Sequence, residues 1–232
     1  MIKIIKKLML YIGGLLILAT GTNFSKAAQL GISPVSATPY ALELIWGIEL
    51  GKSTTLIFIV LVLLQIILLR KNYKPVQLLQ IGCTYLFGFF ISFTGSTLLT
   101  WLPTPSTYFM KLTYLFISII CAGTGVFLYL IPNYISLPPE GVVNAIMELG
   151  KGKFKFANVK IAVDGTLVIT SAILSLVFLG GLETVREGTV LSALLTGKVV
   201  GFMSKNFKNI ILEWIEGSDV SETFISVGQD ND

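Results

Sequence analysis

Ile131-Pro-Asn-Tyr-Ile-Ser-Leu-Pro-Pro-Glu-Gly-Val-Val-Asn-Ala-Ile146 breaks a long run of lipid-like sequence with three prolines, a glycine and the carboxylate of Glu140. Proline can open a helix but cannot sit inside one without loss of a hydrogen bond. The stretch therefore ends one apolar span and starts a short helical piece. A weaker copy stands about a hundred residues earlier, at Leu30-Gly-Ile-Ser-Pro-Val-Ser-Ala-Thr-Pro39, where Pro34 and Pro39 play the same part. Each break follows one long apolar span and precedes two more. Interrupted segments at corresponding positions of two halves are a recognised pointer to a site at the bilayer midplane.

The composition sets the class. Of 232 residues, 53% are hydrophobic and 13% charged, where a soluble domain carries about 25% charged residues. An integral membrane protein, bathed in the lipid bilayer, is expected. The net charge of +4 does not form a basic stripe with exposed aromatics, so nucleic acid is not an expected partner. The lysines cluster at the ends of apolar runs, as membrane-edge anchors do. Cys83 and Cys121 both lie inside apolar spans, as helix-packing residues rather than a disulfide pair. Histidine is absent, which removes the usual proton carrier near neutral pH and the commonest metal ligand. No Ser-His-Asp or Cys-His arrangement can form, and no two carboxylates are spaced as an acid–base pair. No enzyme activity, cofactor or metal is expected.

In order along the chain, span one covers about Leu8 to Ala28. Lys3, Lys6 and Lys7, an apolar run and Ser25-Lys-Ala-Ala also fit a cleavable secretory signal. An uncleaved span is preferred because Gly13, Gly14 and Gly21 match Gly123 and Gly125 of span four. A short piece from Ala37 to about Leu50 follows, too short for a hydrocarbon core needing roughly 20 residues. Span two, about Ser53 to Leu69, holds Gln65 as its one strongly polar interior residue; span three runs from about Val76 to Leu99. Span four covers about Lys111 to Leu130, the second short piece Gly141 to Gly150, span five about Ile161 to Leu179 and span six about Gly188 to Ser204. An amphipathic turn or two around Phe207, Ile211, Trp214 and Ile215 leads to an acidic tail.

Lysine and arginine crowd the N-terminus, the loop at Arg70–Lys74, the stretch Lys151–Lys160 and Lys205–Lys208, and are sparse in the alternate loops. The positive-inside rule then gives six spans with both termini cytoplasmic. Three spans per half is an odd number, so the second half is inverted relative to the first. Setting Pro34 on Pro138 places Gly21 on Gly125. The expected fold is an all-α polytopic membrane protein. Its six transmembrane helices form two inverted three-span repeats, each with a short Pro-broken re-entrant helix. Residues 1–107 form repeat 1, 108–205 repeat 2, and 206–232 the amphipathic turn and cytoplasmic tail.

Thr184-Val-Arg-Glu-Gly-Thr-Val-Leu-Ser-Ala-Leu-Leu-Thr-Gly197, with Gly31-Ile-Ser-Pro34 and Pro138-Pro-Glu-Gly141, resembles the YczE/YyaS/YitT family of bacterial membrane proteins over about residues 8 to 205. Members usually carry a tryptophan and an aspartate after the first proline, where this chain has Val35 and Ser36. The resemblance implies a duplicated, polytopic protein of the bacterial inner membrane.

Glu140 leads the candidate substrate-binding residues. It stands in the first turn of a short helix, with apolar flanks, and ionisable groups at membrane depth are costly. Asn144, one turn on, is expected to face the same way. Ser33 and Ser36 offer hydroxyls at the first break, with Ser33 also placed to cap the helix. Asn23 either bonds a neighbouring helix or lines the site. Arg186 and Glu187 pair with each other or reach a cavity, where an arginine fork suits an anion. Lys160 and Asp164 read as an i,i+4 edge pair, Lys198 as an interfacial anchor, and Gly51-Lys-Ser-Thr54 as an accidental likeness to a phosphate loop. A small-molecule or ion transporter is the leading expectation, with Glu140 or Glu187 as the switch if protons drive it. A scaffold, partner subunit or regulator working through the C-terminal tail is the alternative. Gly82, Gly88 and Gly95 allow close helix contact within one protomer or in a homo-oligomer.

Overall fold

The computed structural model describes residues 1–151 and 153–216. The acidic tail beyond Glu216, the main sequence basis for a regulatory role, lies outside the described residues. Among the described residues, eight α-helices follow one another: α1 (Ile2–Ala28), α2 (Pro34–Trp46), α3 (Leu50–Leu69), α4 (Leu79–Trp101), α5 (Tyr108–Leu130), α6 (Pro138–Leu149), α7 (Phe156–Leu179) and α8 (Glu187–Glu216), with two 3₁₀ turns between α3 and α4. No strand occurs among the described residues. Four helices, α3, α4, α5 and α7, are long and apolar enough to cross a membrane.

The prolines act as starts. Pro34 opens α2 and Pro138 opens α6, several residues before the starts expected at Ala37 and Gly141. The ring's fixed φ is preorganised for the first helical position, and the missing N–H would have had no intrahelical partner there. At the far end, span six and the amphipathic segment are one helix, because no breaker separates Ser204 from Trp214.

Polarity is reversed relative to a soluble bundle. Leu56, Val60, Leu63 and Ile67 on α3 are exposed, as are Phe89 and Phe93 on α4 and Ile169, Ile173 and Val177 on α7. Asn23, Gln65, Gln80, Thr84, Ser171 and Ser175 are buried. An apolar solvent rewards this pattern, since lipid accepts apolar surface freely but leaves a polar group without a partner.

The α1–α5 pair forms the centre. A Cβ on Gly14 would stand 2.9 Å from the Gly125 carbonyl oxygen, and one on Gly125 would stand 2.7 Å from the Gly14 carbonyl oxygen. The two backbones therefore touch directly. Ser118 Oγ donates to the Gly21 carbonyl at 2.7 Å along the same seam. Around this pair the packing partners recur in matching sets. α1 packs on α4 as α5 packs on α8; α2 packs on α7 as α6 packs on α3; α2 packs on α3 as α6 packs on α7. One match is missing: α3 lies along α4, but α7 and α8 do not lie along one another over the described residues.

Of the span-three glycines, Gly88 faces Gly51 of α3 and Gly95 faces Asn23 of α1, so both serve contacts within the chain. The start of α3 meets the α4 backbone through Gly51, with Lys52 paired to Glu49 at 3.8 Å. This accounts for the Gly-Lys-Ser-Thr run without a phosphate. Cys83 and Cys121 are free thiols.

Candidate functional site

The two breaks converge on one cavity of about 240 Å³ to which every one of the eight helices contributes a wall. Each break is held by polar contacts that its sequence dictates.

The first break turns through Gln29 and Gly31, both at positive φ. Gly31 has no room for a side chain: a Cβ would lie 2.6 Å from Thr189 Oγ1 and 2.7 Å from the Arg186 nitrogen. Gly188 N–H donates to the Leu30 carbonyl at 2.7 Å, and Ile32 N–H donates to the Thr184 carbonyl at 3.3 Å. The Thr184–Thr189 motif is thus the dock for the first break. Beyond it, Thr38 Oγ1 donates to the Leu167 carbonyl at 2.7 Å and Ser171 Oγ to the Ala37 carbonyl at 2.8 Å, tying α2 to α7. Pro39 sits inside α2; lacking an N–H, it cannot close the usual bond to the carbonyl of Val35, which lines the cavity.

The second break is held by Gln65. Its Nε2 donates to Gln80 Oε1 at 3.0 Å and to the Pro138 carbonyl at 3.3 Å, linking α3, α4 and the start of α6. Tyr11 Oη donates to the Ile135 carbonyl at 2.7 Å, and the fully buried Tyr129 lies beside Glu140.

Three charged side chains line the cavity, and they form one cluster. Lys160 Nζ stands 3.4 Å from Glu140 Oε1 and 2.9 Å from Asp164 Oδ1. Glu140 Oε2 is buried with no hydrogen-bond partner. Hydroxyls come from Thr22, Ser33, Ser36, Ser118, Ser192 and Thr196, and Phe58 and Phe87 supply aromatic wall. Those two rings stack with centroids 5.9 Å apart. Ser192 is 3% exposed and its Oγ has no partner.

Among the residues singled out from sequence, Glu140, Ser33 and Ser36 meet in this cavity. Ser33 takes the N-cap position of α2 but makes no capping bond; its Oγ donates instead to Ser36 Oγ at 3.3 Å. Asn144 does not join them. Four residues over-rotate an α-helix by about 40°, and this carries Asn144 off the buried arc of α6 into exposure. Asn23 takes the first of its two alternatives: its Nδ2 donates to the Ile91 carbonyl at 2.9 Å and to Thr94 Oγ1 at 2.7 Å, bonding α1 to α4. Arg186 and Glu187 pair at 3.6 Å with side chains 44% and 42% exposed. The backbone at Gly188 is engaged by Leu30, and the two charges fall outside the cavity. Arg186 lines a separate pocket of about 410 Å³ with Ser25, Lys26, Lys111 and Glu183, beside the Lys26–Glu43 ion pair at 2.7 Å.

Lys160 and Asp164, an i,i+4 pair expected at the membrane edge, both line the cavity. The pairing itself follows from their spacing, but Glu140 joins it only because α6 crosses α7, a tertiary fact. Ser118, Ser192 and Thr196 carried a weak signal as hydroxyls in apolar spans. Phe58 and Phe87 carried none, since phenylalanine is ordinary in such spans.

No curated protein matches this chain, and no solved structure does. The sequence profile of a family of unknown function, DUF6198, matches residues 5–205, which takes in both breaks and every cavity-lining residue, and the chain belongs to that family.

Proposed function

We propose that the protein is a carrier that moves a small solute or ion across a membrane. Its substrate sits in the cavity between the two breaks and is reached from one face at a time. The observation that carries this reading is the convergence of both Pro-opened helices on one polar cavity inside an apolar-surfaced bundle. The matching packing sets support an inverted duplication in which α1–α4 correspond to α5–α8. On this reading α1, α3, α4, α5, α7 and α8 are the six crossings and α2 and α6 are re-entrant. Lengths of 27 and 30 residues give α1 and α8 roughly 40 and 45 Å at a rise of about 1.5 Å per residue, enough to span. An even number of crossings also fits the contact between the chain's two ends: Lys6 Nζ donates to the Trp214 carbonyl and lies 4.8 Å from the centre of its ring. With the lysine distribution, both ends are cytoplasmic, in a bacterial inner membrane.

Closure on the two sides has different materials. Toward the Arg186 pocket, the seal is the backbone pairing of Leu30–Ile32 with Thr184–Gly188. Toward the lysine-rich loops, it is the Gln65–Gln80–Pro138 network and the Lys160 cluster. Opening either leaves the other intact, as alternating access requires.

The test needs no knowledge of the cargo. A Ser192→Cys variant, with Cys83 and Cys121 replaced, is treated with a membrane-impermeant thiol reagent in right-side-out and inside-out vesicles. Carriers label from both sides. Labelling from neither side marks a sealed bundle and favours a scaffold; labelling from one side alone marks a blind vestibule.

A further inference from the structure

We infer that the cavity takes a small organic monocation, an alkylammonium or similar compound, with Glu140 and Asp164 as its counter-charges; this names the substrate class of the carrier reading and rests on it. The argument begins with charge. One ammonium stands against two carboxylates, leaving one net negative charge on a polar patch enclosed by apolar helices. Charges out of water need compensation, and an unmatched one shifts the balance toward binding its opposite. Glu140 Oε2 is buried and makes no hydrogen bond, and its buried neighbour, the Tyr129 hydroxyl, makes none either, so this oxygen keeps acceptor capacity for a ligand.

The remaining lining agrees in chemistry. Ser192 Oγ, buried and without a hydrogen-bond partner, adds an open acceptor to the wall. Phe58 and Phe87 line the cavity as a stacked pair and supply apolar wall for the alkyl part of such a ligand. A bare metal ion fits less well. It asks for roughly six or more oxygen ligands, and no group of three or more metal-ligating side chains occurs among the described residues. At about 240 Å³ the space equals that of about eight waters in the liquid, enough for a compact amine. The site already shows how it holds such a group, because Lys160 is itself an alkylammonium, tethered to α7 and seated between the two carboxylates. A free amine would compete with it for the same oxygens.

The experiment follows thermal unfolding of the full chain in lipid nanodiscs, read by tryptophan fluorescence. The probes are ethylammonium and tetramethylammonium chloride, with sodium acetate and acetamide as anionic and neutral counterparts and sodium chloride holding ionic strength. A ligand bound only by the folded state raises Tm by mass action. Both ammonium probes are expected to raise Tm, with acetate and acetamide inert. Glu140→Gln should weaken apparent affinity at least tenfold. Lys160→Met, which removes the tethered competitor, should strengthen it at least tenfold. Lys198→Gln, at an exposed position on α8, should change nothing. Should Lys160→Met not fold, the wild-type panel and Glu140→Gln still decide. Stabilisation by acetate or acetamide, by no probe, by pH alone, or by amines equally in Glu140→Gln overturns the proposal. Amine binding with one-sided access at Ser192 would keep this site and overturn the carrier. Two-sided access with an anionic ligand would do the reverse.

Discussion

At the scale of single residues, the α1–α5 seam requires the absence of side chains. An alanine at position 125 would bring its Cβ to 2.6 Å from the Leu18 nitrogen, with backbone on both sides and nothing free to move. Gly125→Ala is therefore expected to destabilise by about 1–3 kcal/mol, the range for overpacking. Gly165→Ala, where a Cβ meets nothing within 4 Å, should be neutral or stabilising by up to about 1 kcal/mol through helix propensity. Tm values of the two variants in one detergent check the pair. Gln65→Leu tests the second break: it leaves the Gln80 amide oxygen without its donor and removes a bond to the Pro138 carbonyl. A loss of about 1–3 kcal/mol is expected, as for a buried polar group left unsatisfied. Much at this scale was legible from the chain alone. Glu140 and the serines of the first break announced themselves by lying where apolar sequence stops. Asn144 misled because i,i+4 spacing keeps two residues only roughly on one face, and a 40° drift decides at the edge of a buried arc.

At the scale of elements, α2 and α6 are alike in length and in their proline starts but differ in how they are fastened. α2 is tied to α7 by one hydroxyl from each helix, Thr38 of α2 and Ser171 of α7, with Ser171 also sharing a hydrogen bond with Thr184 Oγ1 at 2.7 Å. Ser171→Ala removes both Ser171 contacts and should lower stability by about 1 kcal/mol. Thr170→Ala serves as control, since its hydroxyl is exposed and bonds within its own helix. Loss confined to Ser171 would show as a Tm difference between the two. Four of the expected spans, α3, α4, α5 and α7, are helices long and apolar enough to cross a membrane, because apolar length is a one-dimensional property. The start of each short helix came out several residues late because proline was weighed as a break rather than as a first residue. The unbroken α8 was missed because an amphipathic ending looks like a separate piece when the chain is read by hydropathy.

At the scale of the molecule, the proposed inverted arrangement makes a topological prediction. With Cys83 and Cys121 replaced, single cysteines at Thr104 and Gly181 should label from outside intact cells. Cysteines at Lys71 and Lys153 should label only after the membrane is opened. Labelling of Lys153→Cys in intact cells would contradict six crossings. The alternation of lysine-rich and lysine-poor loops is the sequence basis for this expected order. The partner exchange of α2 with α7 and α6 with α3 was not, because helix–helix contacts in lipid depend on small residues whose partners no spacing identifies.

On the carrier reading proposed above, Lys160 bears on how the cycle would run. A carrier whose empty site holds bare carboxylates must hold on to something before it can turn over, and such carriers tend toward strict exchange. Here the protein brings its own amine on a side chain long enough to leave and return. With Lys160 seated when cargo is absent and withdrawn when an amine takes its place, the two carboxylates face one ammonium in either form, and the return stroke can proceed without cargo. Net uptake down a gradient into cargo-free vesicles is the expected behaviour, and Lys160→Met should convert it into one-for-one exchange.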